Sequence, residues 1–466
     1  MNEVKITPVD KWIVNPVNRF ISNSATGGIL LIVSAVVAIF MANSPWSDWF
    51  HSIWQYKISF GLDTNLSLDK TLHHWINDGL MAVFFFVIGL ELKREIVGGE
   101  LSKPRNAILP IIVGLGGMIF PALIYTWFNS GQETMNGWGI PMATDLAFAL
   151  GLLYLLGDRI PASLKIFLTA FSIVDDVGSV LVIAIFYTSE ISLGNLGIGF
   201  AFLLLLIASN LLGVRNTFYY GLIGIGGVWL FFLLSGVHAT IAAILAAFTI
   251  PASTQINETR FMNRMHHYLE KFRKADPNLK APTLTPTQLR ILDDMEALTK
   301  KAMPPLQKLE HDMHPLVAYI IMPIFALANA GVTFDSNILS NATSTVALGV
   351  AIGLLLGKMI GIFGVSSLLI RTGIAPMPRN ASYKQLFGLA LIAAIGFTMS
   401  LFINELAFTP IEGNGPLYIA QAKIGIIIAS LIGGISGFLL LSSLSKKRMT
   451  PDIINMQNNK QSTLNS

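Results

Sequence analysis

Apolar residues in this chain come in long uninterrupted runs rather than in short alternating blocks, and the runs recur from residue 26 to residue 443. A bilayer core about 30 Å thick is crossed by about 20 apolar residues in helical form, so each run predicts a membrane-spanning helix. The approximate spans are 26–43, 75–97, 105–128, 138–157, 163–187, 192–212, 218–235, 237–250, 315–334, 345–370, 385–408 and 416–443. A closed strand barrel also satisfies its backbone in lipid, but it reads as segments of about ten residues that alternate polar and apolar. The stretch Gly28 to Phe40 does not alternate. The pattern therefore predicts an all-α polytopic membrane protein with about twelve spans.

Composition agrees. Of 466 residues, 53% are hydrophobic and 12% charged, and the mean hydropathy of +0.61 leaves too little polar surface for a water-soluble globule of this size. There is no cysteine, which excludes disulfides, thiolate metal sites and cysteine nucleophiles. The 31 Lys and Arg residues sort to one side of the spans, except for Lys57 and Lys70 opposite and Lys358 and Lys423 within spans. Positive charge marks the cytoplasmic side. The expected layout is a cytoplasmic N-terminus (1–25), eight spans (26–250), a cytoplasmic loop (251–314), four spans (315–443) and a cytoplasmic tail (444–466). The net charge of +4 reports orientation rather than nucleic-acid binding.

Two segments outside the spans have patterns of their own. Ile58 to Leu62 and Leu66 to Leu68 flank Asp63-Thr64-Asn65, alternation about turn residues that predicts an external β-hairpin near 56–70. In the 251–314 loop, Phe261, Met265, Tyr268 and Phe272, then Leu289, Leu292, Met295 and Leu298, recur at helical spacing and predict two amphipathic helices. These either cap the cytoplasmic face or serve regulation or a partner.

Candidate chemistry lies where charge falls inside apolar runs: Asp145, Asp175, Asp176 and Lys358. Each costs about 2.5–3.5 kcal/mol at the bilayer centre, so all must be paired or face water in a cavity. Asp175 and Asp176 point about 100° apart on a helix, which allows one to face a cavity while its neighbour meets Lys358. Burial favours the protonated carboxyl and a bound cation the ionised one, so proton and cation compete for the same oxygens. Hard oxygen donors from Asp and Thr suit a small hard cation such as Na⁺ or Li⁺. Pro141, before Thr144 and Asp145, and Gly396 in a later span are weak points for a continuous helix. Broken helices in two halves mark a midplane site in transporters.

Ala143-Thr144-Asp145-Leu146-Ala147-Phe148-Ala149, Asp175-Asp176, Gly236-Val237-His238-Ala239-Thr240, Gly357-Lys358 and Gly396-Phe397-Thr398-Met399-Ser400, taken in order, resemble the NhaA family of bacterial sodium/proton antiporters. The resemblance covers nearly all of 15–445. It implies an inverted-repeat fold of twelve helices in which spans three to five mirror ten to twelve, with extended chains crossing in spans four and eleven. Inverted-topology repeats are a known property of this family rather than something the spacing shows. The resemblance further implies electrogenic, pH-regulated exchange of Na⁺ or Li⁺ for H⁺ by alternating access, with no cofactor and no enzymatic reaction. Asp176 would be the main cation and proton carrier, so that Na⁺ sits at Asp175 and Asp176. Thr144 and Asp145 would stand at the crossing, and Lys358 would compensate charge there and pair with Asp175. A pH-responsive set would comprise Glu91, Glu95, Glu310, His311, His314 and His238, with Asp78 as a further family position. A homodimer through the hairpin would be the partner arrangement, beside membrane lipid and small cations, and a bacterial inner (plasma) membrane would be the location. Departures from the family's familiar members are the long 251–314 loop, the polar tail and Glu405, which is expected near the outer end of its span within reach of water. Rival readings are a sodium-coupled organic-anion symporter of related fold, an intramembrane aspartyl protease, whose Gly-x-Gly-Asp motif the chain lacks, and a channel.

Overall fold

The computed structural model describes residues 26–61, 67–188, 191–275, 283–334 and 338–444. The expected cytoplasmic N-terminus, the centre of the hairpin turn and the C-terminal tail lie outside these residues. In chain order the main elements are α1 (Thr26–Ala42), α2 (Ser47–Gln55), β1 (Lys57–Gly61), β2 (Ser67–Thr71) and α3 (Met81–Gly98). After α4 (Pro104–Asn129) comes a 3₁₀ stretch (Glu133–Met142), then α5 (Leu146–Leu155), α6 (Ala162–Phe186) and α7 (Leu193–Leu211). Then come α8 (Thr217–Leu234), α9 (Ala239–Thr249), α10 (Glu258–Ala275), α11 (Pro286–Ala302), α12 (Pro305–Leu316) and α13 (Met322–Asn329). The last are α14 (Thr345–Arg371), α15 (Tyr383–Ala393), α16 (Phe397–Phe408) and α17 (Gly415–Leu444). β1 and β2 pair antiparallel, Lys57 opposite Thr71.

Among the described residues, eight helices are long and apolar enough to cross a membrane, ten when each of two bent pairs counts as one span. The remaining two expected spans fall short for different reasons. α3 carries Glu91, Lys93, Arg94 and Glu95 near its end, and α9 has 11 residues, fewer than the roughly 20 of a simple crossing. The ninth span, expected at 315–334, belongs to a helix that runs from Pro305 to Asn329. Pro315 lies inside it instead of opening it. A π-helical turn at Val317–Ile321 follows directly, a local rewinding that accommodates a proline's missing donor.

The chain forms two compact units. The first comprises residues 1–81, 100–188 and 315–466 and shows the same arrangement in both halves. An unbroken helix, a broken one and another unbroken helix follow one another, as α4, 3₁₀/α5, α6 and again as α14, α15/α16, α17. Glycines let these helices touch. A Cβ on Gly361 of α14 would lie 2.2 Å from the Gly116 carbonyl of α4, and one on Gly116 would lie 2.7 Å from the Gly361 carbonyl. This contact sits one turn from Lys358.

The second unit, residues 82–99 and 189–314, packs Leu90, Leu206, Tyr220, Val228, Phe232, Ala242, Ala247 and Leu306 into one apolar core. Lys93 donates to the Phe248 and Ile250 carbonyls at 2.6 and 2.5 Å, which places a cation on the negative end of α9. In α11 the buried positions are Gln288, Ile291 and Leu298, whereas Leu289 and Leu292 are exposed. The face expected from 289, 292, 295 and 298 is thus rotated at its start, where Gln288 also closes a capping box with Thr285.

Substituting Gly361 by Ala is expected to force α4 and α14 apart and to lower stability by about 1–3 kcal/mol, the usual range for overpacking. Thermal unfolding of the purified protein in detergent measures it; an unchanged midpoint would show that the close approach is not needed.

Candidate functional site

Two interrupted helices meet in the first unit. The chain is extended at Ala143, Thr144 and Asp145 between the 3₁₀ stretch and α5, and helix is interrupted again at 394–396 between α15 and α16. The first break falls two residues after Pro141, which itself lies within the 3₁₀ stretch. Backbone groups released by one break are taken up by the other. Asp145 N–H donates to the Ile395 carbonyl at 2.7 Å, and the Thr144 hydroxyl donates to the Ala393 carbonyl at 3.2 Å. Gly396 is required here for space, since a Cβ would lie 3.0 Å from the Ala143 carbonyl and 2.9 Å from Leu354. Tyr187 accepts from Gly139 N–H at 3.3 Å and donates to the Asn136 carbonyl at 2.6 Å. Ser400 donates to the Ile140 carbonyl at 2.8 Å.

Each break exposes two kinds of helix end. The N-termini of α5 and α16 carry partial positive charge, and both meet Asp145. Its carboxylate accepts from Phe148 N–H at 2.9 Å, from Thr398 N–H at 3.0 Å and from the Thr398 hydroxyl. At the opposite pole, the carbonyl of Met142, last residue of the 3₁₀ stretch, accepts from the Lys358 ammonium. One buried anion and one buried cation thereby complement the ends of the broken helices.

Lys358 also forms an ion pair with Asp175 at 2.6 Å, with both side chains no more than 1% exposed. Thr144 approaches the same carboxylate with its hydroxyl and its N–H. Asp176, the next residue along α6, is buried and interacts electrostatically with Lys358. The structure thus brings together Thr144, Asp145, Asp175, Asp176, Lys358 and Gly396 from four segments. Thr398, Ser400 and Tyr187 join them without having been singled out as site residues from the sequence. The partners of the first two, Asp145 and the Ile140 carbonyl, lie in the other half of the chain, so spacing within one helix carried no signal for them.

The remaining predicted positions lie elsewhere. In the second unit Arg94 bridges Glu95 at 3.0 Å and also pairs with Glu310. Glu91 interacts electrostatically with Arg94, Glu95 and Glu310, and His314 with His311 and Arg94. Arg94 supplies the compensation that two like charges one turn apart need. His238 stands at the N-cap position of α9, at the other end from the carbonyls that Lys93 holds, and so is not part of this cluster. Asp78 belongs to the first unit and bonds His74 at 2.9 Å. Glu405 does not reach freely to water as expected: it pairs with Lys423 at 3.1 Å, both side chains 13% exposed, because α16 and α17 pack together. Near it His73 bonds Asn329 at 3.1 Å, and Asn329 donates to Asn77 at 2.9 Å.

A family model described as Na⁺/H⁺ antiporter 1 matches residues 18–441. Among curated relatives, the Na(+)/H(+) antiporter NhaA 1 of Saccharophagus degradans is 43% identical over 449 residues, which cover 95% of each chain. The Na(+)/H(+) antiporter NhaA of Oleidesulfovibrio alaskensis is 45% identical over 441 residues, covering 95% of this chain and 96% of the relative. The Na(+)/H(+) antiporter NhaA 2 of Syntrophotalea carbinolica is 45% identical over 438 residues, covering 94% and 98%.

Removing one member of a buried ion pair costs about 3–5 kcal/mol, whereas replacing both by neutral groups costs far less. Lys358→Met is therefore expected to unfold at markedly lower temperature, and Lys358→Met combined with Asp175→Asn to recover much of the loss. A double-mutant cycle from thermal unfolding measures the coupling; additive losses would mean that the pair contributes nothing as a pair.

Proposed function

Because this chain belongs to the Na⁺/H⁺ antiporter 1 family, we propose that it extrudes Na⁺ or Li⁺ from the cytoplasm in electrogenic exchange for protons by alternating access. The observation that carries the reading is the division of labour between adjacent acids. Asp175 is tied to Lys358 at 2.6 Å, while Asp176 is buried beside it on another face of α6. With both carboxylates protonated or compensated, the buried site is near neutral; with a cation bound, the ion supplies the positive charge that the protons gave up. One site cannot hold both cargoes, and that exclusion is what couples their fluxes.

Na⁺ is cargo, held by carboxylate and hydroxyl oxygens of Asp175, Asp176 and Thr144. Asp145 and Lys358 keep the broken helices' dipoles compensated as the site loads and empties. Exchange of more protons inward than sodium outward moves net positive charge into the cell, and an inside-negative potential then contributes about 2.3 kcal/mol per charge per 100 mV. The chain is a secondary active transporter of an inner membrane in this reading. The two-stranded sheet β1–β2 has open edges suited to pairing with a second copy by strand addition.

Acid-loaded proteoliposomes are expected to release protons on addition of Na⁺ or Li⁺, and Asp176→Asn to abolish the release. Lack of release with any alkali cation between about pH 6 and 9, where histidine and buried carboxyls titrate, would favour the organic-anion symporter.

Regulation by pH is assigned to Glu91, Arg94, Glu95, Glu310, His311 and His314, a cluster of ionisable groups whose charges act on one another. Arg94→Ala and Glu310→Gln each remove the pair that joins α3 to α12. Both are expected to displace the pH profile of exchange while leaving the maximal rate largely intact, as followed by Na⁺-driven proton movement across about pH 6–9; an unmoved profile would remove the cluster from regulation.

A further inference from the structure

Ser172 and Ser179 of α6 are buried, and their hydroxyls make no hydrogen bond among the described residues. A serine within a helix has a ready acceptor in the carbonyl four residues back, and other residues of this chain use it: Thr169 on the Lys165 carbonyl, Ser209 on Leu205 and Ser436 on Ile432. Thr240, Ser366, Ser367 and Ser430 have buried hydroxyls without a partner as well, so that property alone selects nothing. What distinguishes Ser172 and Ser179 is their face. At about 100° per residue, both fall within the arc between Asp175 and Asp176, one turn before and one turn after the acidic pair.

The acids cannot form a cage by themselves. Among the described residues no three His, Cys, Asp or Glu side chains converge as a metal-holding group, so a desolvated cation must complete its shell with neutral oxygens. Hydroxyl oxygens are hard donors suited to it. Seven residues of helix separate the two serines by about 10 Å along the axis, too far for one ion to touch both. Each serine is, however, within one helical turn of the carboxylates.

We infer that Ser172 and Ser179 are cation ligands used in turn, Ser172 completing the shell when the site is open to the cytoplasm and Ser179 when it is open to the outside. This rests on the exchange reading above and on the orientation set by positive charge, in which the start of α6, next to Arg159, is cytoplasmic. The ion meets Ser172 with the acidic pair on entry and passes to Ser179 with the same pair on exit.

The test is the Na⁺ dependence of exchange measured from each face, in everted and right-side-out vesicles from cells lacking other Na⁺/H⁺ antiporters. Ser172→Ala is expected to raise the cytoplasmic-face KM about three- to tenfold, the scale of one lost polar contact, and to leave the external-face KM unchanged. Ser179→Ala is expected to do the reverse. Ser436→Ala, which loses only a bond within its own helix, is the control. Ser172→Cys and Ser179→Cys keep the volume but replace a hard oxygen by sulfur. They are expected to reproduce the one-sided KM shifts, and they decide the question if the alanine variants do not fold. Unchanged KM values, or equal shifts on both faces, overturn the inference while exchange itself stands. Asp176→Asn that still exchanges overturns the underlying reading instead.

Discussion

A backbone interrupted inside a membrane has no water to turn to, so every freed N–H and C=O must find a partner in the protein. In this chain the two interruptions are each other's partners. The extended segment at 143–145 donates to Ala393 and Ile395 of the other half, and Asp145 receives the start of both downstream half-helices. The crossing exists only once residues some 250 positions apart are assembled, and it fixes where Asp175, Asp176 and Lys358 stand. Close approach is the second requirement. Gly396 at the crossing and the Gly116–Gly361 contact beside it leave no volume for a side chain, so the helices there approach at backbone distance.

Legibility from the sequence followed the energetic cost of each feature. Asp145, Asp175, Asp176 and Lys358 stood out because a charge in an apolar run is expensive enough to need a reason. Helix positions were readable because length and apolarity are local properties. The location of the first break was less so. Pro141 is the strongest local helix breaker, yet the chain leaves helical geometry at 143–145, where the opposite half offers replacement bonds. Tertiary partners, not local propensity, chose the site. The same limit hid Thr398 as a ligand of Asp145 and Lys423 as the partner of Glu405, since neither pairing follows from spacing within one helix. On α11 the apolar spacing admitted two adjacent registers, and the one found buries Gln288, Ile291 and Leu298.

The Lys358–Asp175 pair is not explained by stability. A buried ion pair roughly breaks even against apolar residues of similar shape, and its cost appears mainly when one partner is removed. Such a pair is better suited to hold two alternatives close in energy. Lys358 is shared among Asp175, the Met142 carbonyl at the crossing and the field of Asp176, so a change of charge on either acid is felt where the broken helices meet. A change of charge at Asp175 alters the demand for the ammonium and with it what holds the 3₁₀ end in place. Charge at the carboxylates and the arrangement of the crossing are thereby linked. A site made from an unbroken helix, whose dipoles need no compensation, would lack that link.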